Sequence, residues 1–381
     1  VPPTDIPLGL GFDDVLLVPQ RTSVASRADT DLSTPLAAGI TLRIPILSAN
    51  TPWCTGARMA VAMATAGGVG VLHRMQTVDQ QCRDLAEVKK ATPAGDLATV
   101  DAAGRLRAGA AIGVVDDWKE RAEALVEGGV DFLVTDVAHG HADYVLSVVS
   151  QLKARFPDVP VVAGNVATAA ATRDLVDAGA DVVKVGIGPG GICTTRIVAG
   201  SGVPQLTAVM DCAAEATRNG VPVIADGGIK EPGDVVKALA AGAGSVMVGS
   251  VLAGADESEA RPFEREDGSR VKISTGFVTF GMRLTLKRAR GETVTREELA
   301  EYTPEGVEST FAATGTVSQT LQPFLGGLRS GMSYSGAHTL AQLRERARFV
   351  RITPAGLAES RPHALNRTEQ LPLDYAQDTA G

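Results

Sequence analysis

Eight short apolar runs recur along the chain, and most are followed by an alanine-rich stretch with apolar positions at helical spacing. The runs cover residues 45–49, 68–73, 107–114, 132–137, 160–165, 181–187, 222–226 and 245–249. Most are nearly continuous in Val, Ile, Leu and Ala, as expected of parallel strands covered by helices. The intervening pattern predicts helices over residues 57–66, 118–127, 143–155, 168–177, 208–218 and 232–241. Eight strand-then-helix units over about 250 residues match the count of a (β/α)8 TIM barrel, in the α/β class. A doubly wound open sheet fits the same periodicity, because periodicity does not report closure.

Three segments fall outside the repeat. Residues 8–19 form an apolar strip that would plug or cap a barrel. Residues 89–104 read as a polar linker between the second and third strands. Residues 256–324, charged and rich in Thr and Glu, read as a flap inserted after the eighth strand. Residues 1–353 are therefore expected to form one catalytic domain, and the polar, proline-containing residues 354–381 a poorly ordered arm.

Composition narrows the function classes. Of 381 residues, 44% are hydrophobic and 21% charged, a profile that supports a large core. The net charge of −8, with no basic cluster among aromatics, excludes a nucleic-acid polymer as the expected partner. Four cysteines without paired spacing (Cys54, Cys82, Cys193, Cys212) point to a reducing compartment. No apolar run reaches membrane-spanning length and no export pattern opens the chain, so the expected location is cytoplasmic, without a membrane partner.

In a barrel of this kind the chemistry sits where strands end. Those ends supply Asn50, His73-Arg74, Asp136, Asn165, the segment Gly186-Ile-Gly-Pro-Gly-Gly-Ile-Cys-Thr-Thr-Arg196, Asp226-Gly-Gly228 and Gly249-Ser250. The glycine-rich segment offers backbone N–H groups with little side chain in the way. It carries Cys193 next to two threonines and an arginine, neighbours that favour a thiolate and make Cys193 a candidate nucleophile. Glycines after the seventh and eighth strands (Gly227, Gly228, Gly249) commonly build a phosphate site, and Asp226 is placed to accept hydrogen bonds from a ribose diol. Taken singly each glycine pair is a tight turn. Together with a cysteine loop one strand earlier they favour a purine nucleoside monophosphate.

Blander readings stand beside this one. Residues 186–191 match the dinucleotide fingerprint G-x-G-x-x-G, but Pro189 is odd for that turn and a Rossmann enzyme has no use for Cys193. His139-Gly-His141 lacks a nearby third ligand and reads as a loop or cofactor contact rather than a metal site. Trp53 and Cys54 either line the site or belong to surface packing, and the acidic stretch 292–305 reads as a solvated face except at Glu305. A flavin-dependent 2-hydroxy-acid oxidase would also use late phosphate loops, without needing a cysteine.

The chain resembles the IMP dehydrogenase / GMP reductase family. The matching pieces are Gly11-Phe-Asp-Asp-Val-Leu-Leu-Val-Pro19, Gly67-Gly-Val-Gly-Val-Leu-His73, Asp136-Val-Ala-His-Gly-His141, Ala163-Gly-Asn-Val166, the cysteine loop, Ala225-Asp-Gly-Gly228, Pro304-Glu-Gly306 and Gly326-Gly-Leu-Arg-Ser330. The resemblance implies a homotetramer, a covalent purine adduct on Cys193, and a monovalent cation such as potassium on the carbonyls of Gly188, Gly190 and Cys193. It implies that Thr195 and Glu305 handle ammonia or water, and that Asp136, Asn165 and Gly186 lie on the nicotinamide side. The dehydrogenase branch turns IMP into XMP with NAD, using an Arg-Tyr pair to activate water. The reductase branch turns GMP into IMP with NADPH.

No Arg-Tyr dipeptide occurs here: Tyr144, Tyr302, Tyr334 and Tyr375 follow Asp, Glu, Ser and Asp. Residues 300–302, 208–212, 136–138 and 49–50 also read more like the reductase, and only residues 89–104 stand where dehydrogenases usually carry regulatory modules. Several positions depart from the family pattern. Gly191 replaces a phosphate-binding serine, Ser274 a phosphate-binding tyrosine, Phe277-Val278 a Met-Gly or Met-Ser, Thr51-Pro52 a Met-Asp, and Arg74 a lysine. These changes touch the substrate rather than the thiol. They leave open a modified substrate, such as a 7-deazaguanine nucleotide, or a catalytically silent nucleotide-binding homologue. Retention of Cys193, Thr195 and Glu305 favours the enzyme.

Overall fold

The computed structural model describes residues 6–274, 295, 306–307 and 309–361. All eight apolar runs become strands, and they close into a parallel barrel. In order these are Ile46–Ser48, Val69–Leu72, Ala108–Ile112, Phe132–Thr135, Val161–Val166, Val182–Val185, Val223–Asp226 and Ser245–Val248. Each pairs with its sequence neighbours, and the eighth pairs back onto the first through Val246↔Ile46. The open-sheet alternative is thereby excluded.

The pleat explains how continuous apolar runs serve two cores. Within a strand, successive side chains point to opposite faces. Val69, Val71, Phe132, Val134, Val162, Val182, Ile224 and Met247 fill the barrel interior. Leu72, Leu133, Ala163, Val183 and Ala225 face outward to the helices. Gly109 makes room for the largest interior ring: a Cβ there would lie 2.3 Å from Phe132. The same alternation, continued from Val182 and Ile224, directs Lys184 and Asp226 inward at the barrel's C-terminal end.

The predicted helices appear within a residue or so at Ala57–Thr65, Trp118–Glu127, Asp143–Arg155, Ala169–Asp177 and Pro232–Ala240, while the helix expected from 208 starts earlier, as Gln205–Thr217. Between the second and third barrel strands a helix went unpredicted, Val78–Lys90, capped by the Thr77 hydroxyl. Its charged surface hides a narrow buried stripe of Gln81, Leu85 and Val88, and it absorbs the first two residues of the supposed 89–104 linker.

Three outer segments differ from expectation. The strip 8–19 does not plug the barrel. Its Val15–Leu17 pairs antiparallel with Phe349–Arg351 on the flank, and Lys237 Nζ donates to the Phe12 carbonyl at 2.8 Å. The plug is instead a hairpin, Thr34–Ala37 and Ile40–Leu42, whose Leu36, Ala37, Ile40 and Leu42 join the interior core. The flap contributes a three-stranded antiparallel sheet, Arg261–Glu264, Arg270–Ser274 and Ser309–Ala312. It ends before 324, because Val317–Tyr334 is a shell helix that buries Leu321, Phe324, Leu328 and Met332. Its Gly331 lies so close to the Pro232–Ala240 helix that a Cβ would meet Val236 at 2.5 Å. The start of the expected arm is ordered too: Pro354–Glu359 is helical, capped by Thr353. No helix among the described residues is long and apolar enough to cross a membrane.

Candidate active site

A cavity of about 230 Å³ opens at the C-terminal end of the barrel. It gathers most of the residues singled out in the sequence: Asn50, Asp136, Asn165, Gly186, Gly188, Gly190, Gly191, Cys193, Thr195, Asp226, Gly227, Gly228, Gly249 and Ser250. Residues from several strand ends and the flap's Gly306 therefore converge on one space.

The cysteine loop leaves the sixth strand at Gly186, which has φ +150; a Cβ there would lie 2.1 Å from the Asp226 carbonyl. Only glycine permits this approach. Gln205 ties the base of the loop down, donating to the carbonyls of Val185 at 2.9 Å and Asp226 at 3.1 Å. The loop then turns through Cys193 N–H, which donates to the Gly190 carbonyl at 3.1 Å. Cys193 is half-buried, with Sγ 3.2 Å from the Thr195 hydroxyl. Thr195 opens the short helix Thr195–Val198. On its other side Cys193 bridges to Gly306, and Val307 N–H donates to the Ile192 carbonyl at 3.1 Å, so the flap rests against the thiol loop.

Arg196 plays a second part beside the one expected. Its guanidinium donates to the carbonyls of Ile187 at 3.1 Å and Val203 at 2.6 Å, stapling the loop from behind. Burial lowers its pKa, opposed by the charge of Cys193, so it stays within electrostatic reach of the sulfur. The other cysteines are poor nucleophiles. Burial pushes Cys54 and Cys212 up to about 12, and burial with nearby Asp79 raises Cys82.

The cavity floor is a polar cluster. Lys184, on the sixth strand, donates through Nζ to Asp226 Oδ2 at 2.6 Å and to Asn165 Oδ1. Asn165 Nδ2 donates to the same Asp226 oxygen at 2.9 Å and to the Gly186 carbonyl at 2.8 Å. Sequence reasoning passed over Lys184, although a single charge inside the apolar run 181–187 was a readable signal. Asp136 is held by Arg74, whose Nε lies 3.1 Å from Oδ2. Arg74 itself is not among the described residues that line the cavity.

Ser274 also departs from its expected role. It is fully buried at the end of its flap strand, its hydroxyl has no hydrogen-bond partner among the described residues, and it lies outside the cavity lining. Glu305, Phe277 and Val278 lie outside the described residues. Trp53 lines the cavity, 6% exposed and stacked on Phe311 at 6.0 Å, which settles it as a wall rather than surface packing. Thr51, also in the lining, carries a buried hydroxyl without a partner among the described residues. His141 pairs with Asp174 at 2.7 Å, and no cluster of three metal-ligating side chains occurs among the described residues.

Lys184 is the one cationic side chain in the described lining, and it is already paired. An anionic ligand here would rest on backbone N–H groups of the glycine loops, on hydroxyls such as Ser250, or on both. A side chain at Gly191 would point toward Ser250, its Cβ 3.9 Å from Oγ; the glycine leaves that space to a ligand.

Comparison with known proteins agrees with this geometry. Residues 9–363 match the IMP dehydrogenase / GMP reductase domain. An inosine-5′-monophosphate dehydrogenase of Nitrosopumilus maritimus is 37% identical, covering 93% of this chain and 98% of its own. A GMP reductase of Leishmania major is likewise 37% identical, covering 95% and 98%. These alignments run over 467 and 484 positions, so both relatives carry segments that this 381-residue chain lacks. A crystal structure of a cysteine-to-alanine variant of Trypanosoma brucei GMP reductase, in complex with guanosine 5′-monophosphate, superposes with a TM-score of 0.89 at 35% identity, covering 94% of this chain and 98% of that one. The chain is an oxidoreductase of the IMP dehydrogenase / GMP reductase family.

Proposed function

We propose that the chain catalyses NADPH-dependent reductive deamination of a guanine-type purine nucleotide, GMP to IMP, through a covalent bond from Cys193 to purine C2. The observation that carries this reading is the Cys193 sulfur, 3.2 Å from the Thr195 hydroxyl, in a cavity shared with Asp226 and the Gly227-Gly228 pair. Relatives of both branches are equally similar, so identity does not choose between the reactions. The choice rests on the absence of any Arg-Tyr dipeptide from the sequence. A positioned base contributes about 10²–10⁴-fold to hydrolysis, and its loss would cripple the dehydrogenase direction.

The thiolate adds to C2, the bond from C2 to the exocyclic nitrogen breaks, and a proton delivered to that nitrogen lets ammonia leave. A nicotinamide cofactor, when bound, supplies the hydride that C2 requires. The carbon–sulfur bond then breaks and returns the thiolate, so that GMP, NADPH and two protons give IMP, NADP⁺ and ammonium. Thr195, with Glu305 from the flap, moves the proton at the departing nitrogen. Asp136, fixed by Arg74, supplies a fixed acceptor on the cofactor side together with Asn165 and Gly186. Asp226 accepts from the ribose diol, while Gly227, Gly228, Gly249 and Ser250 hold the phosphate and Asn50 borders the substrate. A potassium ion would sit on the carbonyls of Gly188, Gly190 and Cys193. The Gly190 carbonyl already accepts one hydrogen bond, and its second lone pair fits that role. The working form would be a cytosolic homotetramer.

A second reading keeps the chemistry and changes the ring. Thr51-Pro52, with a Thr51 hydroxyl that has no partner among the described residues, favours a modified guanine nucleotide, such as a 7-deazaguanine nucleotide. The test is cofactor absorbance with GMP and NADPH against IMP and NAD⁺. NADPH oxidation with release of IMP and ammonia supports the reductase. NAD⁺ reduction yielding XMP overturns it, and robust turnover of GMP counts against the modified ring.

A further inference from the structure

The strand that launches the reactive loop also carries a lysine that the proposed chemistry leaves unused. The Lys184 side chain is 2% exposed and lies on the inward face, two residues beyond Val182. Burying an ammonium is costly unless it is paired and hydrogen-bonded. Filling that position alone would need only an aliphatic chain, as interior neighbours Val182 and Ile224 show. Instead Nζ reaches across to two neighbouring strands, donating to Asn165 Oδ1 and to Asp226 Oδ2 at 2.6 Å. Asn165 Nδ2 donates to that same oxygen at 2.9 Å. Two donors from the protein therefore hold Oδ2, and the carboxylate cannot rotate without losing both. Oδ1 keeps its acceptor capacity in a group that lines the cavity.

We infer that Lys184 is a positioning residue for sugar recognition: by occupying Asp226 Oδ2 and locking Asn165, it presents Asp226 Oδ1 to a ribose diol and so sets a preference for ribonucleotides over 2′-deoxyribonucleotides. This rests on the purine-nucleotide reading of the cavity.

The test is calorimetric binding of GMP and of 2′-deoxy-GMP, without cofactor, to the wild-type protein and to Lys184→Met, Asp226→Asn and the double variant. A hydrogen bond to a charged acceptor makes the wild type prefer GMP by about 10- to 100-fold. Lys184→Met should shrink that preference to within about threefold. In the Asp226→Asn background, where the charged acceptor is already lost, the same replacement should change the ratio less than about twofold. The readout is a ratio of two ligands on one protein, so a general loosening that weakens both leaves it unmoved. Where Lys184→Met fails to fold, Lys184→Gln, which keeps an uncharged donor on a shorter arm, is expected to shrink the preference in the same direction. A lysine variant that still prefers GMP tenfold, or an Asp226→Asn protein with undiminished preference, overturns the inference. Wild-type protein that binds neither GMP nor IMP overturns the proposed function and this inference together.

Discussion

Two cysteines follow strand ends of the barrel, Cys193 in the cavity lining and Cys54 outside it, and the fold treats them in opposite ways. Cys54 follows the first strand, is fully buried, and directs Sγ at the Gly249 carbonyl 4.0 Å away. Burial raises its pKa to about 12, which leaves an inert thiol. Cys193 follows the sixth strand on a loop of glycines, half-buried, with a hydroxyl 3.2 Å from its sulfur and the flap's Gly306 paired to its backbone. In the proposed reaction, reactivity is a property of the loop rather than of the residue type. The first-strand end supplies a wall of the cavity and the sixth-strand end the proposed nucleophile.

Removing each sulfur is the largest test of that contrast. Cys193→Ala should lower kcat by at least about 10⁴-fold, because no second group in the described cavity lining can form the covalent bond. Cys54→Ala should leave kcat within about twofold and cost about 1 kcal/mol in denaturant unfolding. Equal kinetic losses would break the comparison. Alkylation sharpens it without mutation. At pH 8 only about one Cys54 side chain in 10⁴ is a thiolate, so iodoacetamide followed by peptide mapping should label Cys193 well before Cys54 or Cys212.

The loop's dependence on its glycine hinge gives a smaller effect. Gly186→Ala places a methyl group 2.1 Å from the Asp226 carbonyl at a φ of +150, and should cost about 3 kcal/mol of stability by urea titration. A neutral outcome would mean that the loop's path is not fixed by that approach. The region after the second strand is sensitive to pH instead. Burial lowers the His73 pKa from 6.5 to about 4, and its Nδ1 accepts from Met75 N–H at 3.1 Å. Above pH 6.5 the ring is neutral in both folded and unfolded chains and pH has no effect through it. Below 6.5 the unfolded chain takes up the proton first, so stability falls as pH drops toward 4, by up to about 3 kcal/mol. His73→Gln should flatten that part of the stability–pH curve; an unchanged slope would place the titrating group elsewhere.

The barrel was legible because buried parallel strands must be apolar on both faces, and runs such as 132–137 and 181–187 stand out against polar helix surfaces. The hairpin at 34–42 was not, because its two short strands bury alternate residues such as Leu36 and Leu42 and turn at Gly39, too little chain for a periodic signal. Val78–Lys90 escaped for a similar reason: only Leu85 and Val88 supply apolar burial in that helix. At the site, backbone-determined features such as Gly186 and the Asp226-Gly-Gly228 turn were readable, since glycine placement and strand ends fix them. Side chains held by tertiary contacts were not. Ser274 is buried at the end of its flap strand, Arg74 turns to Asp136, and Arg196 turns to carbonyls behind the loop, choices that no local pattern encodes.

The central claim is that Cys193 bonds covalently to the purine during turnover. Acid-quenching the enzyme with GMP and NADPH in the steady state, then mapping peptides by mass spectrometry, tests it directly. The expected result is a purine-nucleotide adduct on the peptide carrying Cys193 and on no other cysteine. Full turnover with every cysteine unmodified, or with the adduct on Cys54, Cys82 or Cys212, would contradict it.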